Sequence, residues 1–393
     1  MGQSFDYGGP VTDKESENGW ANDLRLAWGA SCMQGWRDGM EDAHLAEASL
    51  GEWSSFHNVS MSSASSLGGW SNTATFAVFD GHGGENVALF CKRHMPAEIA
   101  AGPHDNVPSA LVDAFHKMDD MLRDPTHLSE LRSLVNGISP QAALRSLSVT
   151  PLNVGCTAIV TCVRSDSIVV ANAGDSRAVM CRAGRAVELS EDHKPNLLVE
   201  RERIAKAGGF VEEQRIGPIT QYRVNGNLNL SRSIGDLSYK RNRDLADEEQ
   251  MICATPDVRT FGRTDHDEFM VLACDGVWDV MSSQEVVDYI RCNLGNVADL
   301  EDRLRTGELR LSTVLEGLLD TCISPNLQQT FGLGGDNMTA VLVVFLPSPI
   351  GPHGQILSMP WSGPVTPRTD SGSWVGRSQG GQGAAAMWLC PHC

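Results

Sequence analysis

The sequence contains no run near the roughly 18 apolar residues that a membrane-spanning helix needs. Its N-terminus, MGQSFDYGGP, has no apolar segment that would read as a secretory signal. Positive charge is scarce: 31 Lys and Arg stand against 49 Asp and Glu, a formal net charge of −18. A nucleic-acid binder usually carries a basic surface, so no nucleic-acid partner is expected. An anionic substrate would have to meet positive charge from a few arginines or from bound cations. The glycine-rich stretches GHGGEN and GLGGDN match neither the P-loop nor the dinucleotide fingerprint. The eleven cysteines are odd in number and sit mostly in apolar runs, which without a signal predicts reduced thiols in an intracellular protein, cytoplasmic or nuclear. What is present is 393 residues, 41% of them hydrophobic, enough for a sizeable core in one large domain or two ordinary ones.

Gly2 makes N-myristoylation a candidate, although Asp6 stands where the motif wants Ser or Thr. The residues that follow are more acidic than basic. One acyl chain without a polybasic patch gives only weak membrane association, so no stable insertion is expected. Residues 1–22 read as a flexible lead-in, and 51–74, rich in Ser, Asn and Gly, as a surface insertion between two strands. Helices are predicted over about 85–94, from Pro108 through Leu122, and over 197–208 ending at Gly208-Gly209. Two more are predicted over 282–295, with a Ser282–Glu285 capping box, and before Pro325. Residues 124–153 carry weak periodicity and receive no assignment.

The runs CTAIVTCV, SIVVANA, RAVMCR and RAVELS are β-rich and joined by very short turns, which predicts antiparallel neighbours. FMVLACDG and NMTAVLVVF read as buried strands. After Phe345 the composition turns to Pro, Gly and Ser, and 347–393 reads as a disordered tail. Strands and helices mix without βαβ alternation, which points to an α+β fold of antiparallel sheets flanked by helices.

Several apolar runs end at an acid. TFAVFDGHGGE places Asp80 after a strand and His82 two residues later, among three glycines. FMVLACDGVWD supplies Asp275 and Asp279, GLGGDN supplies Asp336, and SIVVANAGDS places Asp175 in a turn. MQGWRDGMEDAH adds Arg37, Glu41 and Asp42. Carboxylates without Cys/His ligand spacing suit Mg²⁺ or Mn²⁺ rather than Zn²⁺. Asp-Gly and Gly-Asp are also common turn dipeptides. The residues alone leave both readings open.

In order along the chain, MQGWRDGMEDAH, FAVFDGHGG, NAGDSRAVMCR, LSEDHKP, RVNGNLNLSRSIGD, VLACDGVWDVMS and GGDNMTAVLVV resemble the motifs of the metal-dependent protein phosphatases, the type 2C serine/threonine class. The likeness extends over roughly 24–346 and implies a catalytic domain of residues 23–346. It implies two antiparallel sheets packed as a sandwich with helices on both sides. It also implies site roles: Asp80 bridging two Mn²⁺ or Mg²⁺ ions, Asp275 and Asp336 completing one shell, Glu41 and the Gly81 carbonyl holding the other ion. By the same resemblance Asp42 orients water, Asn337 supports the Asp336 loop, Arg37 grips phosphate and His82 is the general acid. Asp175 and Asp279, with Asp275, resemble a weaker third metal position. The implied activity is hydrolysis of phosphoserine and phosphothreonine in proteins, by in-line attack of a water bridging the two metals, in a monomer.

Three rival readings remain. Cys253-ATPDV-Arg259 fits the C-x5-R spacing of cysteine-based phosphatases but lacks the glycines and preceding histidine of that loop. Cys390-Pro-His-Cys393 has a redox spacing with no strand–helix unit around it. A protein that keeps the fold and binds without turnover is the alternative of another class. Residues 299–312 form an extra charged stretch without an assigned role, and the SP and TP dipeptides of the tail are weak phosphorylation candidates.

Overall fold

A computed structural model describes residues 9–51, 69–134 and 150–347. The N-terminal half contains β1 (Val11–Ala21), β2 (Leu26–Gly35), β3 (Ala43–Glu47), β4 (Ala74–Phe79), β5 (Gly81–His82), α1 (Asn86–Ala101), α2 (Val107–Arg123) and α3 (Leu128–Ser133). There follow β6 (Gly155–Cys156), β7 (Ala158–Val163), β8 (Ser167–Ala173), β9 (Arg177–Arg182), β10 (Arg185–Glu188), α4 (Leu198–Lys206), β11 (Val211–Ile216) and β12 (Ile219–Val224). The last are β13 (Ile234–Gly235), β14 (Asp257–Gly262), β15 (Asp267–Ala273), α5 (Asp275–Trp278), α6 (Ser283–Leu294), α7 (Leu300–Thr306), α8 (Leu311–Cys322) and β16 (Met338–Phe345).

Two antiparallel sheets carry the fold. One has the strand order β1-β2-β16-β15-β9-β10, the other β14-β8-β7-β4-β3. Their central strands are apolar on both faces, because each sheet is covered on both sides. In β15, Met270 and Leu272 point between the sheets with Phe76 and Val78 of β4. The alternate residues Phe269, Val271 and Ala273 pack under α6 and α8. Phe79 and Ala77 likewise turn to α1 and α2. The period of two thus builds four layers, helix–sheet–sheet–helix, as expected. The α6 capping box forms as the sequence predicts, with Ser282 accepting from Glu285 N at 3.3 Å and Glu285 from Ser282 N at 2.8 Å.

Some expectations need correction. Residues 11–21 are not a flexible lead-in: β1 pairs with β2 from Lys14↔Met33 to Ala21↔Leu26. It is an edge strand whose outer side meets solvent, so its residues are polar and show no strand signature. Asn18 pins it further, donating to Ser312 Oγ at 2.8 Å and accepting from Ser312 N at 2.9 Å. The short turn after β8 does not join neighbours either. β8 and β9 lie in different sheets, so residues 174–176 cross the sandwich. Gly174, at φ +122, makes that crossing possible.

The first helix runs past His94 to Ala101 with Pro96 inside it. Burial of Met95, Pro96 and Ile99 offsets the lost backbone hydrogen bond. The end of the expected insertion is packed rather than superficial, since Trp70 is fully buried. Most of that insertion, residues 1–8, residues 135–149 and the tail from 348 lie outside the described residues. The charged stretch near 299–312 contains α7 and the start of α8.

Candidate active site

One end of the sandwich gathers the acids. Asp80 follows β4 of one sheet. Asp275 follows β15 of the other, and Asp336 precedes β16 beside it. The crossing turn delivers Asp175, and the connection from β2 to β3 delivers Arg37, Glu41 and Asp42. Close backbone approach explains two glycines. A Cβ on Gly81 would overlap the Glu41 carbonyl oxygen, and one on Gly276 would overlap that of Asn337. Asn337 ties these segments together. Its side chain accepts from Glu41 N at 2.9 Å and donates to Gln34 O and Gly39 O at 2.7 and 2.9 Å.

The carboxylates repel one another. Burial first, then Asp42, Asp275, Asp336 and Asp175, push Asp80 well above the ordinary carboxylate range. Burial and then Asp175, Asp279 and Asp336 do the same to Asp275. Asp279 is raised as well, chiefly by burial. Asp42 is pushed up to about 7 by burial, with the Thr339 hydrogen bond opposing. Its Oδ2 accepts from Thr339 Oγ1 at 2.7 Å, while its buried Oδ1 has no hydrogen-bond partner among the described residues. An orphaned buried carboxylate oxygen among like charges fits a site built for cations. Asp42, Asp80 and Cys274 offer atoms within 4.8 Å of one another. Cys274 is a poor member of that set. Burial and then Asp42 and Asp80 hold its thiol protonated. The remaining donors are oxygens, which suits hard divalent ions.

The positive groups are few. Arg37 donates to Asp336 Oδ2, and Asp336 Oδ1 accepts from Asn337 N at 2.8 Å. Burial works against the Arg37 charge, but Asp336, Asp275 and Asp80 raise its pKa further. Lys194, to which the sequence reading gave no role, donates to Asp175 Oδ2 at 2.6 Å. Burial pulls its ammonium down, yet Asp175, Asp279 and Asp275 hold it well above its ordinary value. An amino-acid cation therefore stands where a third metal position was expected.

His82 sits beside the acids on β5, which pairs through Gly81↔Cys156 and His82↔Gly155 with β6. Its Nε2 lies 2.6 Å from Asp236 Oδ2. Burial lowers the His82 pKa, but Asp236, then Glu41 and Asp175, raise it above the usual imidazole value. Asp236 is only 2% exposed and also accepts from Ser233 Oγ at 2.6 Å. Asp236 was missed by sequence reasoning, although its GD dipeptide closes the SRSIGD motif. A Cβ on Gly155 would meet both Asp236 and His82, so glycine there lets the pair meet. Cys253 and Arg259 form no phosphate loop. Residues 257–262 are β14, and Arg259 pairs with Glu191 at 3.7 Å. Cys390 and Cys393 lie outside the described residues.

The family model described as "Protein phosphatase 2C" matches residues 26–330. "Probable protein phosphatase 2C 11" of Oryza sativa subsp. japonica is 39% identical over 364 residues, covering 86% of this chain and 89% of that protein. "Probable protein phosphatase 2C 21" of Arabidopsis thaliana is also 39% identical, covering 86% and 91%. Among solved structures, a phosphatase from a pathogenic strain of Toxoplasma gondii has a similar fold, with TM-score 0.56, 23% identity, and 85% and 96% coverage. A chain with these motifs in this order, converging on one acidic end of this sandwich, belongs to the protein phosphatase 2C family of protein serine/threonine phosphatases.

Proposed function

We propose that the chain hydrolyses phosphoserine and phosphothreonine in proteins with Mg²⁺ or Mn²⁺ held by Asp80, Gly81 O, Glu41, Asp275 and Asp336. Asp175 and Asp279, with Asp275, would form a weaker third position, shared with Lys194. The observation that carries this reading is the set of acids raised by burial and by one another around the orphaned oxygen of Asp42. Divalent cations bound there would neutralise phosphoryl charge and make hydroxide available near neutral pH.

The chain's own residues have distinct tasks in this reading. Arg37 would leave Asp336 to grip phosphate oxygens with its planar fork. Asp42 would take up a proton from the attacking water. Water adds to phosphorus in line as the bond to the serine or threonine oxygen breaks. His82, held by Asp236, would give its proton to that departing oxygen. The products are inorganic phosphate and the free hydroxyl. The silent alternative would be supported by a lost acid or histidine, and each is in place. Work as a monomer in a reducing compartment, cytoplasm or nucleus, belongs to the same proposal.

The test is phosphate release from a phosphothreonine peptide by metal-stripped protein, with and without Mn²⁺ or Mg²⁺. Activity should appear with metal and be absent from Asp80→Ala. A wild type inactive at millimolar metal would overturn hydrolysis in favour of a binding role.

A further inference from the structure

The pair His82–Asp236 has a basic cavity on the continuing chain. Three residues after Asp236 the chain reaches Tyr239, and residues 240–250 then form a loop. That loop and the end of α2 line an open cavity of about 570 Å³, bounded by Arg123, Lys240, Arg241, Asn242, Arg243 and Asp247, among others. Positive charge in this position is unusual for a chain of net charge −18.

The cations of the cavity divide into two kinds. Lys240 is spent on the fold: it is buried, and its Nζ donates to Asp119 Oδ2 at 2.6 Å and Ser233 O at 2.7 Å. Arg123 is shared among Asp119, Asp120 and Asp247 at 3.3–3.8 Å. Arg241 and Arg243 are exposed, and among the described residues no carboxylate pairs with either. Two exposed guanidinium groups, two positions apart in the chain, are thus left over at the rim.

The rim is preformed. Gln250, 4% exposed, accepts from Asn242 N at 3.1 Å and donates to Asn242 O at 2.7 Å and Leu245 O at 3.0 Å. A loop fixed this way spares the backbone's ordering cost at binding and leaves only that of the two side chains. Two guanidinium forks match the charge and geometry of one phosphate dianion. The cavity is far larger than a phosphate ion and can hold the side chain that carries it. Arg241 lies five positions after Asp236, so their Cα atoms are no more than about 18 Å apart. An extended peptide covers that distance in about five residues.

We propose that this cavity is a second anion subsite, in which Arg241 and Arg243 bind a phosphorylated residue of the substrate protein other than the one hydrolysed. The proposal rests on the hydrolytic reading above. It assigns the enzyme a preference for multiply phosphorylated segments.

The test compares fluorescent peptides with one phosphothreonine and with a second phosphoresidue two to six positions away, on either side. In the presence of Mn²⁺, wild type should show a kcat/KM at least about tenfold higher for one of the doubly phosphorylated peptides, the usual scale of a charge-assisted contact. The ratio should fall to about one in Arg241→Glu/Arg243→Glu, and in Arg241→Gln/Arg243→Gln, which keeps the loop free of new acids. Equal kcat/KM for all peptides in wild type, or a preference that survives both variants, would overturn the subsite. Inorganic phosphate is the second arm. Phosphate that binds wild type but not the variants, with no peptide preference, would also overturn a substrate subsite and reassign the cavity to free phosphate. Peptide binding is measured in parallel by anisotropy on metal-free protein, where hydrolysis is absent. Failure of all hydrolysis with retained, Arg-dependent binding of the doubly phosphorylated peptide would overturn the catalytic reading and leave the subsite standing.

Discussion

Glu200 and Asp42 are both buried carboxylates, 2% and 4% exposed, and their surroundings drive them in opposite directions. Burial raises Glu200, but hydrogen bonds and charge from Arg232 and Arg203 outweigh it and hold the pKa at about 2. Arg203 and Arg232 each reach it at 2.7 Å, and Ser231 donates at 2.6 Å. Asp42 has one hydroxyl partner, one orphaned oxygen and acidic neighbours, and its pKa is pushed up to about 7. The fold supplies every counter-charge that Glu200 needs. At the acidic end it supplies only Arg37 and Lys194, bonded to Asp336 and Asp175. Where a chain can satisfy buried charge and does so in one place, the deficit in another marks a place for something from outside.

The comparison breaks most visibly at Asp80. Asp80→Asn should take phosphate release below detection in the presence of Mn²⁺. It should also raise the melting temperature of metal-free protein by about 2–4 °C, because it removes a carboxyl that is costly to bury among like groups whether it ionises or keeps its proton. A lower melting temperature would mean that the acids are not in excess.

The His82–Asp236 pair is an intermediate case, one acid matched to one imidazole. His82→Ala should slow phosphothreonine peptides by about 10²–10⁴-fold. Asp236→Asn should cost at least about tenfold, since it removes the group that holds the ring. Both losses should shrink for p-nitrophenyl phosphate, whose leaving group needs no proton. Equal losses on both substrates would remove the acid role.

At Glu200 the sign of the stability effect should reverse. Glu200→Gln should destabilise by about 3–5 kcal/mol, because Arg203 and Arg232 lose their anion. Its folded-state pKa is depressed, so the associated stability is present above about pH 4.5 and lost as pH falls towards 2. That contribution is on the order of 3 kcal/mol. Denaturant unfolding across this window should fall more steeply for wild type than for the variant. The smallest effect is at the α6 cap, where the Ser282 side chain bonds to Glu285. Ser282→Ala should cost about 1 kcal/mol through the lost helix cap and leave hydrolysis alone.

The parts of this molecule legible in the sequence were those carried by short-range patterns. Strands of both sheets read from their apolar runs, α6 from its capping box, and the acids from their places at strand ends. The motif order gave the family. What stayed hidden depended on contacts distant in sequence. Asp236 meets His82 across 154 positions, and its GD dipeptide alone looks like a turn. Lys194 shows its role only when the acids surround it. The β1 strand shows no alternation because only one edge of it is covered. The turn after β8 is as short as a hairpin, and only the sandwich reveals that it crosses between sheets.

The central claim is that the carboxylate deficit is filled by divalent cations. Calorimetric titration of Mn²⁺ into metal-free wild type and Asp80→Asn at pH 7, repeated in two buffers of different ionisation enthalpy, tests it directly. The expected result is saturable binding by wild type with proton release, the direction set by burial and like charges raising the Asp80 and Asp275 carboxyls, and loss of that binding in the variant. No binding at millimolar Mn²⁺, or the same isotherm in both proteins, would contradict the claim.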